Sequence, residues 1–282
     1  MEKNIENVTA AIHYIESHLS EKMDLEMVAN ALHYSKFYLH RIFTDTVGLT
    51  IHEYIQRRQL TEAAKRLVFS EQPILEIAFA AGYDSQQAFT TIFKAMYKKT
   101  PNQYRKDRCF YPLQLKYILN ENPTKFKEYE IVFAEKRDIP QWMDLVHLVI
   151  DGFPYLDEKE YLEKLQQYIA HKEAFILKDK NIAVGIMAFH KTTGNIEFLG
   201  IHPQYQQEDI AKAFLKKAFA MLIGPEASIT ITTFRERDKA DTGYRYIWKN
   251  LGFTEAELLT EFGYPTQRFV LQKEVWEEKE NG

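Results

Sequence analysis

The sequence has one cysteine, Cys109, in 282 residues, so it can form neither an internal disulfide nor a cysteine-built metal site. Redox and zinc-finger functions are set aside on that ground. No run approaches the roughly 20 uncharged apolar residues of a membrane helix, and no membrane partner is expected. The first 22 residues mix acids among apolar positions and lack a basic segment leading into a hydrophobic one. No signal peptide is therefore expected, and the protein is expected in the cytoplasm. His147, His190 and His202 share no ligand spacing, so no metal is expected. What is present is average: 45% hydrophobic and 27% charged residues, which excludes disordered and collagen-like chains. The length suits two domains, each able to bury its own core.

An overall basic excess is also missing, since the net charge is −4. The deficit lies in one half. Residues 1–108 hold 14 Lys and Arg against 13 Asp and Glu, whereas residues 109–282 hold 22 against 27. Two basic groups stand out in the first half: Arg57, Arg58, Lys65 and Arg66, then Lys94, Lys98, Lys99, Arg105, Lys106 and Arg108. Such groups form either solvated helix faces or phosphate contacts.

The first half contains an internal repeat at an offset of 50 residues. Ser35, Phe43, Thr50 and Tyr54 recur as Ser85, Phe93, Thr100 and Tyr104, and Val28-Ala29 recurs one residue closer as Ile77-Ala78. Each copy reads as a short apolar helix, a turn at His33-Tyr34 or Gly82-Tyr83, and a second helix that Ser35 or Ser85 can N-cap. That is a helix-turn-helix. Gly82 falls where a helix end turns through left-handed geometry, a position His33 takes at a cost. Thr50 with Glu53, and Thr100 with Gln103 behind Pro101, spell capping boxes that start further helices. Ile55, Leu60, Ala63, Ala64, Leu67 and Val68 recur at helical spacing, so a longer helix is expected to join the copies.

Residues 78–94, which contain Gly82-Tyr83-Asp84-Ser85 and Phe89 through Phe93, together with Thr100-Pro101 and Tyr104-Arg105, resemble the signature of AraC/XylS-type transcription regulators. The resemblance covers about residues 5–107. Lys98 stands where the signature has Gly, and Thr91 where it has Arg or Lys. The resemblance implies two helix-turn-helix units that enter adjacent major-groove segments of double-stranded DNA, about 34 Å apart. Because Leu39, Ile42 and Phe43 must face the core, the residues left to read bases are Lys36, Phe37, His40 and Arg41, then Gln86, Gln87, Thr90 and Thr91. Arg41 suits guanine, and Gln86 or Gln87 suits adenine. Lys94 and Lys99 are candidate phosphate contacts. Phe37 either meets a thymine methyl or sugar, or packs on the preceding helix. RNA polymerase is a further candidate partner.

The second half starts with a connector expected at 109–128, which contains Pro112 and Pro123. Strands are expected near 129–135, 174–178, 182–190, 195–201, 227–233, 254–261 and 267–274, with helices near 138–150, 157–171, 206–222 and 239–251. The expected fold is an all-α double helix-turn-helix domain over 1–108, followed by an α/β domain with a mixed central sheet over 129–282.

Residues 196–211 with Trp248 and Gly252-Phe253 resemble the GNAT acetyltransferase fold. The resemblance implies that Gln206, Gln207, Asp209, Ile210 and Ala211 form the loop that would cradle the coenzyme A diphosphate at a helix start. Asp209 replaces a glycine of that loop and brings negative charge to it. Trp248 stands where a tyrosine would protonate the leaving thiolate, and indole cannot. Glu197 matches a general-base position and is equally readable as an ordinary strand residue. The expectation is therefore no cofactor and a non-catalytic, ligand-sensing domain. Its small-molecule effector would be cationic or aromatic and held by Phe153, Tyr155, Glu197 and Trp248. The alternative is an active acetyl-CoA-dependent N-acetyltransferase with a DNA-binding module, in which case Glu197 is the base. A third possibility is a second domain serving only as a dimerisation or protein-contact surface.

Overall fold

The computed structural model describes all residues except 1, 122, 125–129, 150–157, 206–207, 223, 225, 262 and 282. The chain divides into two compact units: residues 1–123 with 148–155, and residues 124–147 with 156–282.

The first unit is helical: α1 (Glu2–Ser17), α2 (Leu25–Ala31), α3 (Lys36–Val47), α4 (Ile51–Phe69), α5 (Ile74–Ala80), α6 (Gln86–Tyr97) and α7 (Pro101–Asp107). Local chemistry sets the boundaries. Ser35 and Ser85 accept from Tyr38 N and Ala88 N at the starts of α3 and α6. Thr50 with Glu53 and Thr100 with Gln103 form reciprocal capping boxes at α4 and α7. His33 and Gly82 both take positive φ, 60° and 79°. At Gly82 a Cβ would stand 2.9 Å from the Gln59 amide nitrogen, which donates to Glu21 O at 2.8 Å. Any side chain there would push against a hydrogen-bonded neighbour as well as strain the backbone.

Helix α4 belongs to both cores of the unit. Its first turns give Ile51, Tyr54 and Ile55 to a core with α1, α2 and α3, and its later turns give Leu60, Ala63, Ala64 and Leu67 to a core with α5, α6 and α7. Nineteen residues of helix make a spacer roughly 28 Å long between the two copies. Residues 109–119, expected as part of a connector, are partly core. Tyr111 and Leu113 are buried in the second cluster and Tyr117 in the first. Thr61 Oγ1 accepts from Leu113 N and Gln114 N at 3.0 and 3.1 Å, so α4 satisfies the buried backbone of this segment.

The second unit is an α/β structure around a seven-stranded mixed sheet of order β1-β2-β3-β4-β5-β7-β6. The strands are β1 (Val132–Phe133), β2 (Ala174–Asp179), β3 (Ile182–Phe189), β4 (Asn195–Ile201), β5 (Ser228–Phe234), β6 (Thr254–Glu261) and β7 (Tyr264–Gln272). The helices are α8 (Ile139–Val149), α9 (Glu158–Ala170), α10 (Glu208–Phe219), α11 (Tyr244–Leu251) and α12 (Lys273–Asn281). Neighbouring strands are antiparallel apart from β4 and β5, which run parallel and pair at Asn195↔Thr230 and Ile196↔Ile231. α10 lays Ile210, Phe214, Leu215 and Ala218 on the sheet, with Trp248 of α11 and Trp276 of α12 in the same core.

Three boundaries differ from expectation. β1 pairs over two residues only. The helix expected at 239–251 begins at Tyr244, because Asp241 Oδ1 accepts from Gly243 N and Tyr244 N and holds the preceding residues in a turn. The final strand ends at Gln272 and α12, unforeseen in the sequence, follows.

Candidate functional site

The two candidate reading helices present matching faces. On α3, Lys36, Phe37, His40 and Arg41 are exposed while Leu39, Ile42 and Phe43 are buried. On α6, Gln86, Gln87 and Thr91 are exposed and Thr90 is half-buried, while Phe89 and Phe93 are buried. The offset of 50 residues holds along these two helices, so Lys36, Phe37, His40 and Arg41 correspond to Gln86, Gln87, Thr90 and Thr91. Each pair of helices is anchored by apolar residues behind and leaves polar side chains in front, as insertion into a major groove requires.

Phe37 is 80% exposed, so it does not pack on the preceding helix. The Lys36 ammonium lies 5.8 Å from its ring centroid. Thr91 donates its hydroxyl to Gln87 O at 3.0 Å, an internal contact that an Arg or Lys at this position would replace with outward reach.

The basic groups separate into different roles. Lys94 is exposed. Lys99, also a candidate phosphate contact, is held by Asp107 at 2.6 Å. Arg57 and Arg58 are buried, which removes them from any solvated or phosphate-facing group. Arg58 Nε and Nη2 donate to Glu16 Oε1 and Oε2, both at 2.8 Å, and Nη1 donates to Gln114 O at 3.0 Å. The guanidinium thus ties α1, α4 and the segment after α7 together. Only the fold could reveal this, because Glu16 and Gln114 lie far from Arg58 in sequence. Lys98, which stands where the signature has Gly, keeps a left-handed turn: the residue takes φ 60°, where the first copy has Gly48 at φ 75°.

Of the residues foreseen for ligand or cofactor contact, those described divide between exposed positions, Glu197 and Asp209, and buried ones, Ile210, Ala211 and Trp248. Phe153, Tyr155, Gln206 and Gln207 lie outside the described residues. Trp248 is 4% exposed and stacks edge-on against Phe253 in the core, which removes it from the surface where a ligand would be met. Ile210 and Ala211 also turn into the core, so any contact of theirs with an anion would come from backbone N–H groups. Asp209 is exposed on the first turn of α10. There its carboxylate interacts favourably with the helix dipole and competes with any bound anion.

Glu197 is exposed for a structural reason. Ala188 pairs with Phe198 and Phe189 with Ile196, which leaves Glu197 as the extra residue of a β-bulge. Its Oε1 accepts from Asn195 Nδ2 at 2.6 Å and lies 3.6 Å from His190 Nε2. His190 had no assigned role in the sequence, and the register of β3 against β4 brings it here.

These features define a double helix-turn-helix DNA-binding protein whose chain continues into an α/β unit. A helix-turn-helix domain family model matches residues 28–107. The HTH-type transcriptional regulator YbfP of Bacillus subtilis is 42% identical over 98 residues, 35% of this chain and 33% of that protein. The regulatory protein SoxS of Salmonella typhimurium is 38% identical over 98 residues, 35% of this chain and 92% of that protein. The chain belongs to the AraC/XylS-type transcription regulators, and it is a DNA-binding regulator through that region. It spans about a third of the length of YbfP. Among solved structures, a GNAT-family acetyltransferase from Bacillus cereus is similar over 52% of this chain and 98% of that one, at 16% identity and a TM-score of 0.39.

Proposed function

We propose that this regulator reads its operator with α3 and α6 and that its second unit binds a small-molecule effector without acetylating it. The observation that supports the DNA reading is the matched exposure of residues 36, 37 and 41 with 86, 87 and 91. Arg41 would donate two hydrogen bonds to guanine O6 and N7, and Gln86 or Gln87 would pair with adenine N6 and N7. Phe37 adds apolar contact, and Lys94 neutralises a phosphate. RNA polymerase is the partner such a regulator would engage, and the cytoplasm is where it would act.

Three features of the second unit favour sensing over catalysis. Trp248 offers no acid, Asp209 sets a carboxylate at the start of α10, and Glu197 is engaged with Asn195. The GNAT-like reading of this unit, with β4 parallel to β5 and α10 following β4, supplies a scaffold for a ligand. Selection of binding sites from random duplex DNA by the full chain, followed by footprinting, tests the first half of the proposal. Two protected major-groove segments one helical turn apart are expected, and protection of a single segment would overturn it. Release of free thiol from acetyl-CoA in the presence of an amine acceptor would overturn the non-catalytic reading.

A further inference from the structure

The two helix-turn-helix copies share α4, and on one flank of that helix they stand apart. A cleft of about 300 Å³ lies there, walled by Leu19 and Ser20 on the side of the first core and by Ala80 and Ala81 on the side of the second, with Gln59 and Ala63 of α4 between them. Helices of this length bend and twist gently, so α4 sets the distance between the copies more firmly than their relative rotation. A contact away from its axis is needed to hold that rotation.

Gln59 supplies one. It is buried midway along α4. Its Nε2 donates to Leu19 O at 3.3 Å and to Glu21 O at 2.8 Å, so both amide hydrogens are spent on the connection between α1 and α2. That connection is itself folded: Glu21 N–H donates to His18 O at 2.9 Å, Leu19 packs on the first core, and Asp24 caps α2. Gly82, at the turn of the second copy, meets the same groups. A Cβ there would stand 2.9 Å from Gln59 Nε2 and 3.4 Å from Glu21 O, so the turn rests directly on this clasp. Two residues on, Asp84 accepts from Lys22 Nζ at 2.9 and 3.1 Å. The next residue, Ser85, caps α6. A chain of contacts thus runs from the connection before α2, through Gln59, to the start of the second candidate reading helix.

We propose that Gln59 is a positioning residue for DNA recognition: by holding the α1–α2 connection against the turn at Gly82, it fixes α3 and α6 at one separation and one relative rotation, so that the regulator selects operators by the spacing of their two half-sites. The inference rests on the reading above in which both helices enter the duplex. Gln59 touches no base in this role, since it is buried and its donors are taken. One added base pair moves one half-site by about 3.4 Å and roughly 35° relative to the other. With α3 and α6 fixed, the DNA must deform to follow. With the clasp open, the protein yields instead.

The test uses the full chain and an operator selected from random duplex DNA, alongside the same operator with one base pair inserted between its two protected segments. Fluorescence anisotropy gives the ratio of the two affinities, which a loss of folded protein leaves unchanged because it lowers both alike. The wild type is expected to lose about tenfold on the altered spacing, through the cost of deforming the DNA. Gln59→Met keeps the side-chain length and removes both donors. It should shrink the penalty to about threefold or less and leave the slope of affinity against salt unchanged, since no phosphate contact is lost. Gln59→Glu, which faces two carbonyl oxygens with a carboxylate, should shrink it likewise. Lys22→Ala should shrink it less, because both side chains of that ion pair are largely exposed. A wild type indifferent to spacing overturns the proposal, and so does a penalty that Gln59→Met leaves at full size. Footprinting separates this failure from that of the DNA reading: two protected segments with an unaltered penalty overturn the role of Gln59 alone, whereas a single protected segment overturns both.

Discussion

Arg58 grips Glu16 through two bonds of 2.8 Å, with the two side chains only 7% and 13% exposed. Tyr54 donates to the same Glu16 Oε1 at 2.9 Å. Removing one member of a buried pair strands the other charge, so Glu16→Ala is expected to cost about 3–5 kcal/mol. Urea unfolding followed by far-ultraviolet circular dichroism measures it. A loss below about 1 kcal/mol would place the pair among weak surface contacts.

Lys98 closes α6 in left-handed geometry, at φ 60°, and donates its ammonium to Ala95 O at 2.7 Å. Gly48 does the same work for α3 without strain. Lys98→Gly should therefore stabilise the first unit by about 1 kcal/mol, the left-handed cost less the lost contact. A lowered melting temperature for this variant would contradict the strain argument.

Arg41→Ala should weaken operator binding by about 1–3 kcal/mol and relax preference at one base pair. Lys94→Ala should weaken all duplexes alike and reduce the salt slope by about one unit. Lys99→Ala should change the slope less, since Asp107 already holds that ammonium at 2.6 Å. Fluorescence anisotropy over a salt series distinguishes the three, and equal slopes for Lys94→Ala and the wild type would remove Lys94 from the phosphate contacts.

Asp209 predicts weak acetyl-CoA binding. A carboxylate near a bound diphosphate should lower affinity about tenfold to a hundredfold after screening. Calorimetry is expected to detect little binding at micromolar concentrations and more with Asp209→Gly. Tight binding by the wild type would favour the enzyme instead.

The second unit should be acid-sensitive. Burial raises the Asp138 carboxyl, but hydrogen bonds from Lys178 and the Glu135 backbone, with the charges of Lys178 and Arg137, outweigh it and leave the group below its usual range. Asp179, hydrogen-bonded by Thr124 and Tyr205, is lowered in the same way against its burial. A carboxylate depressed in the folded state contributes its stability above the unfolded value near 4 and loses it as pH falls through the folded value. All three tryptophans, Trp142, Trp248 and Trp276, lie in this unit, so tryptophan fluorescence reports its unfolding. The transition should weaken as pH drops below about 4, and Asp138→Asn should flatten that dependence. An unchanged pH profile in the variant would count against the Lys178 pairing.

The sequence by itself determined whatever depends on neighbours within a few residues. Ser35, Ser85, Thr50 and Thr100 cap helices because their oxygens reach N–H groups three positions on. His33 and Gly82 occupy left-handed turns because the chain must reverse there. Helical periodicity was enough to turn Arg41 and Gln87 outward while Leu39 and Phe89 turn in. The α/β alternation of the second half was legible for the same reason.

Tertiary structure decided what depends on groups distant in the chain. Arg57 and Arg58 carry the charges of a surface patch, yet Arg58 is buried because Glu16, 42 residues away, supplies its counter-charge. Tyr111, Leu113 and Tyr117 lie in a proline-marked segment that reads as a connector, but Tyr104 on α7 and Thr61 and Tyr54 on α4 make them part of the core by satisfying their backbone. Trp248 became core because the face of α11 that carries it packs on the sheet. The approach of His190 to Glu197 depends on a strand register and a bulge, and register is set by pairing across strands, which no local pattern encodes.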